Sequence, residues 1–154
     1  MDATDPAAGA NLLARISNEI VKAQKHYFGK GPVGAKSYMF DDMLFVVMHG
    51  GLTTAEETML DFGEADLVRQ FRQTFENRMT EHLTGVIEDL TGRKVLTYQS
   101  QVLFQPHRVI EMFVFDDTAA EGARAATAEG QTTDGEIGEA TADASLDAPS
   151  SSGR

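Results

Sequence analysis

The sequence predicts an α+β fold in which helix, hairpin, helix and hairpin follow one another. Two apolar stripes predict the helices. Leu13, Ile16, Ile20, Ala23 and Tyr27 recur at spacings of 3 and 4, as do Leu67, Phe71, Phe75, Met79, Leu83, Val86 and Leu90. The strands come from a third observation. After each stripe stand two runs of strand-forming residues around a short turn, Asp41-Asp42 in the first case and Gln105-Pro106-His107 in the second.

Each element has local punctuation. Asp5 is a good N-cap and Pro6 suits the first helical position, so the first helix starts there. Gly29 stands where a left-handed cap would close it, and Pro32 prevents resumption. Ala35 to Phe40 and Met43 to Met48 form the first hairpin. The second of these runs is apolar on both faces, Leu44, Val46 and Met48 on one and Phe45 and Val47 on the other. Such a strand lies centrally in a sheet or beneath a partner subunit. Thr53 and Glu56 make a capping box that opens a short helix reaching about Leu60. Gly63 interrupts it, the long helix follows, and Gly92 caps its end. On that helix Arg69, Arg72 and Arg78, interspersed with Glu76, Glu81 and Glu88, read as a solvated face of mixed charge.

The last two strands are Val95 to Phe104 and Val109 to Phe115. In the second of them Val109, Glu111, Phe113 and Phe115 share one face, and Ile110, Met112 and Val114 the other. The simplest packing is a four-stranded antiparallel sheet with the two main helices on one face. The apolar residues of the opposite face then need a cover. A second copy would supply it, so a homodimer is expected.

Charge divides the chain. It has 154 residues, 24 acidic and 13 basic, for a formal charge of −11. Residues 116–154 carry nine acids and two bases, while 1–115 carry 15 and 11. The 116–154 segment is built from Ala, Thr, Gly, Asp, Glu and Ser, with Ile137 and Leu146 as its larger aliphatics. Such a composition buries too little apolar surface to offset its ordering entropy, so a folded domain at 1–115 and a disordered acidic tail are expected. The acid excess and the lack of a basic, aromatic surface argue against nucleic acid. No apolar run approaches the roughly 20 residues that span a bilayer, so no direct membrane insertion is expected. With no Cys, no glycosylation sequon and no signal-like N-terminus, a cytoplasmic protein is the expectation.

Gly29-Lys30-Gly31-Pro32, Lys36-Ser37-Tyr38, Asp42-Met43-Leu44, Gly50-Gly51-Leu52-Thr53 with Glu56, and Leu90-Thr91-Gly92-Arg93 with Val95 occur in this order. Together they resemble the MpsC-like family of small bacterial and archaeal proteins, over Ile16 to Phe115. The resemblance implies a component of a sodium-translocating, membrane-potential-generating system. A chain without a spanning segment would serve such a system as a soluble accessory or regulatory subunit, with a membrane transporter subunit for ion or inorganic carbon as partner. The resemblance implies no catalytic residue set and no cofactor.

The residues leave further readings open. Gly50, Gly51 and Thr53 meet a helix N-terminus, where free N–H groups and the helix dipole hold anions, and Lys30 and Lys36 would add charge if the fold brings them near. That makes a small-anion or small-ligand sensor the alternative function. Glu56 and Glu57 in the same first turn oppose it, and a tight turn with an ordinary cap is the preferred explanation of the pattern. Adjacent Asp41 and Asp42 suit acid–base work or a hard cation, but hairpin turns favour Asp for its own sake. His49 suits pH sensing. An enzyme using Asp41, Asp42 or His49 is the last alternative. No His pair has ligand spacing on one element, and no metal is expected.

Overall fold

The computed structural model describes residues 5–116. They form α1 (Pro6–Phe28), β1 (Gly34–Phe40), β2 (Met43–His49), α2 (Thr54–Asp61), α3 (Ala65–Thr91), β3 (Val95–Phe104) and β4 (His107–Phe115). This is the expected α+β order, with α2 as the short helix ahead of the long one. The tail reading concerns residues 116–154, which, Asp116 apart, lie outside the described residues.

The helix ends follow local chemistry. The Asp5 carboxylate accepts the Ala7 N–H at 2.9 Å and Pro6 takes the first position of α1. Gly29 closes α1 at φ 77°, donating its N–H to Lys25 O, and Gly92 closes α3 at φ 66° in the same way through Glu88 O. Thr53 and Glu56 form the capping box of α2.

The sheet is antiparallel throughout, in the order β1-β2-β4-β3. The hairpins join through β2 and β4, which puts the strand that is apolar on both faces in the centre. Leu44, Val46 and Met48 of β2 and Val109, Phe113 and Phe115 of β4 point inward. Ile16, Ile20 and Ala23 of α1 and Met79, Leu83 and Ile87 of α3 pack into the same core. Each such fully buried aliphatic side chain contributes about 1.5–3 kcal/mol.

Apart from one-residue extensions of β1 to Gly34 and β2 to His49, two features differ from the sequence reading. β4 begins at His107, so the second turn shortens to Gln105-Pro106. The buried face of α3 is also rotated in its first half. Val68, Arg72, Glu76, Met79, Leu83 and Ile87 are buried, while Leu67 and Phe71 are 50% and 47% exposed. Arg72 and Glu76, expected on a solvated face, are 2% and 0% exposed. Periodicity counts apolar residues and is blind to charges that other elements neutralise. Leu67 and Phe71 turn instead toward α2, where with Ala55, Met59 and Val68 they line an open hollow of about 310 Å³.

Candidate functional site

The site begins at the two glycine loops, which pack against each other. Gly50 and Gly51 have φ of 73° and 88°, in the left-handed region that favours glycine. A Cβ on Gly50 would stand 2.5 Å from Val33 Cγ2, and one on Gly51 would stand 3.1 Å from Pro32 Cα. The Val33 N–H donates to His49 O at 2.8 Å and closes the junction. Lys30 is thereby carried to the second loop, where Nζ donates to Leu52 O at 2.9 Å. The fold thus gathers Lys30, Gly50, Gly51 and Thr53. Lys36 goes elsewhere, onto the outer sheet face beside the Tyr38 ring.

The helix terminus at this loop is already served by the chain's own carboxylate. Glu56 Oε1 accepts the Thr53 N–H at 3.0 Å and the Thr53 hydroxyl at 2.9 Å. The Glu56 N–H returns to Thr53 Oγ1 at 3.3 Å. Arg72 neutralises the carboxylate, with Nε 2.5 Å from Oε2 and Nη2 2.9 Å from Oε1. Nη2 also donates to Gly51 O at 2.8 Å, and the guanidinium lies 4.3 Å from the Phe28 ring centre. Burial alone would raise the Glu56 carboxyl. The hydrogen bonds from Arg72 and Thr53 and the Arg72 charge outweigh it and hold the group below its ordinary value. An outside anion would have to displace Glu56 from this seat.

One helical turn further along α3 lies a second cluster, which sequence reasoning missed. Glu76 of α3 and Glu111 of β4 are both fully buried. Gln24 Nε2 donates to Glu76 Oε1 and Oε2 at 3.0 and 3.1 Å, and to Glu111 Oε1 at 3.1 Å. The Tyr98 hydroxyl donates to Glu111 Oε2 and lies 3.4 Å from Glu76 Oε2. Burial raises both carboxyls. For Glu111 the neighbouring Glu76 charge adds to the rise, while hydrogen bonds from Gln24 and Tyr98 moderate it for Glu76. Burial and the two carboxylates push the Tyr98 hydroxyl up as well, so it stays a donor. One signal for Glu111 was present in the sequence, a lone acid on the apolar face of Val109, Phe113 and Phe115. Gln24 carried none.

The remaining candidates stay apart. Asp41 and Asp42 form the β1–β2 turn, Asp41 at φ 53°, and Asp42 O accepts the Phe115 N–H at 2.8 Å. His49 is exposed at the opposite end of β2, its ring beside Gly34. Tyr27 OH lies 3.4 Å from His82 Nδ1, and the His26 ring meets Tyr27 edge-on. Burial, with the Arg72 charge behind it, lowers the His107 imidazole, whose Nε2 is buried without a hydrogen-bond partner. Among the described residues no three His, Asp or Glu side chains converge as metal ligands.

Among the described residues nothing packs over the outer sheet face. Its side chains form three cross-strand rows, Lys36-Val47-Ile110-Gln101, Tyr38-Phe45-Met112-Gln99 and Phe40-Met43-Val114-Thr97. The central six are apolar and half-buried, and Tyr38 and Phe40 are exposed. None of the twelve is a carboxylate. Among the described residues no helix is long and apolar enough to cross a membrane.

Comparison with known proteins places this architecture. A family model described as "Na+-translocating membrane potential-generating system (MpsC)" matches residues 9–117, which includes every residue of both clusters. The uncharacterized protein YbcI of Bacillus subtilis (strain 168) is 31% identical over 93 residues, covering 60% of this chain and 75% of that protein. No solved structure matches. The match to the family model takes in most of the chain and all of the helix-and-sheet domain but the first three residues of α1, so the chain belongs to the MpsC family.

Proposed function

We propose that this protein is a non-enzymatic, cytoplasmic accessory or regulatory module of the sodium-linked membrane system named in its family's description, working as a homodimer joined through the outer sheet face. The observation that carries the reading is that face. It is apolar at its centre and free of carboxylates in a chain whose formal charge is −11. Two copies meeting there would bury apolar surface without opposing acid to acid. A two-fold axis makes one patch its own complement. Membership of the family supports the link to a membrane system. The hollow beside α2, lined in part by the exposed Leu67 and Phe71, then remains open to a membrane-protein partner.

Light scattering on a sizing column tests the dimer. Twice the chain mass is expected for the native protein, and the single-chain mass for Phe45→Glu, which places a charge at the centre of the face. A native protein that is monomeric at high micromolar concentration would refute it. Capture from native membranes tests the accessory role, which fails if no ion or inorganic-carbon transporter subunit is recovered.

A further inference from the structure

We propose that Glu76 and Glu111 hold a single proton between them, and that this proton latches the helix layer to the sheet. The four groups of the cluster come from four elements: Gln24 from α1, Glu76 from α3, Tyr98 from β3 and Glu111 from β4. The hydrogen count supports the proton. Gln24 Nε2 brings two hydrogens and the Tyr98 hydroxyl one, so three hydrogens face the four oxygens of two buried carboxyls. A proton between the carboxyls supplies the fourth and removes one of two like charges from a site closed to water.

Among the described residues no cation forms an ion pair with either carboxyl. From α3, Arg72 faces Glu76, but both of its charged contacts are spent on Glu56 of α2. From β2, the residues turned toward the cluster are Leu44, Val46 and Met48, and Val46 pairs with Glu111 in register. From α1, Gln24 is uncharged. From β3, Tyr98 keeps its proton, and Ser100 stands opposite Glu111 with an uncharged hydroxyl that lowers the Glu111 carboxyl without neutralising it. A metal cation in place of the proton is disfavoured. The carboxylate oxygens converge on the Gln24 Nε2 donor, whose hydrogens would repel it.

The consequence is a latch that alkali opens. Both carboxyls lie above their ordinary value. Their contribution to stability is therefore complete below the unfolded-chain pKa and is lost as pH rises through the folded one. Loss of the proton puts a second charge in the core, and the strain falls on the contact between α1 and α3 on one side and β3 and β4 on the other.

Titration of the full chain with ¹³C-labelled Glu carboxyls, followed by NMR, tests the shared proton. One carboxyl is expected to stay protonated well above the range of the others, with unfolding stability falling as it titrates. In Glu111→Gln that late titration and the matching fall in stability should both vanish. Titration of every Glu in the ordinary carboxylate range would overturn the proposal. So would a fall in stability that persists unchanged in Glu111→Gln, or one that follows the identity of an alkali cation at fixed pH. If Glu111→Gln does not fold, the titration of the native chain decides alone.

Discussion

Arg72 holds the Glu56 carboxylate with two nitrogens, at 2.5 and 2.9 Å, and both side chains are almost wholly buried. The same guanidinium reaches Gly51 O and lies against Phe28. One side chain therefore ties α3 to the glycine loop, to the first turn of α2 and to the end of α1. A fork of donors can do this, whereas a single ammonium cannot satisfy two carboxylate oxygens and a carbonyl in fixed directions.

Removing one partner of this pair strands the other charge. Arg72→Ala is expected to cost about 3–5 kcal/mol in denaturant unfolding, as for other broken buried pairs. Arg72→Lys should recover only part of it. The double variant Arg72→Met with Glu56→Gln should cost clearly less than the sum of the singles, because no uncompensated charge is left. Additive costs would show that the pair is not coupled.

The glycine loop makes a contrast between two residues of similar backbone angle. Gly51 at φ 88° faces Pro32 and Gly31 backbone, whereas Gly63 at φ 82° has open space around the Cβ position. Gly63→Ala should show only the left-handed penalty of about 1–2 kcal/mol. Gly51→Ala should cost more, since backbone must also move. Thermal unfolding of the two variants side by side checks the order.

Acid should weaken the domain through Glu56. Its folded pKa lies below the unfolded value, so its contribution is present above the unfolded value and is lost as pH falls through the folded one. Stability profiles of the native protein and of Glu56→Gln should therefore converge at the acid end. Profiles that stay parallel would remove the assignment.

Tyr98→Phe deletes the hydroxyl that serves Glu111 and Glu76 while leaving the ring on Phe113. A loss of about 1.5–3 kcal/mol is expected, as for a hydrogen bond to a charged group. Far-ultraviolet circular dichroism should be unchanged, and a small or absent loss would mean that water or Ser100 replaces the hydroxyl.

Much of the backbone was legible along the chain. Asp5-Pro6, the Thr53–Glu56 box and Gly29, Gly50, Gly51, Gly63 and Gly92 act within a few residues, so the sequence states where helices begin and chains turn. The alternation in β2 and β4 likewise sorted the side chains into two faces, because strand geometry has a period of two, while packing decided which face is inward. The candidate site was legible in half. Lys30, Gly50, Gly51 and Thr53 do come together, but the charge that meets them is Glu56, and the partner of Glu56 is sixteen residues away on α3.

The sequence alone thus determined the elements, their caps, the apolar faces and the absence of cysteine chemistry, all of which depend on neighbours in the chain or on composition. Tertiary structure decided which charges are inside. Arg72 and Glu76 look like members of a solvated face until Glu56, Gln24 and Glu111 are brought to them from 16, 52 and 35 residues away. A buried charge is tolerated only where distant partners compensate it, and the identity of those partners is a property of packing that no local pattern carries.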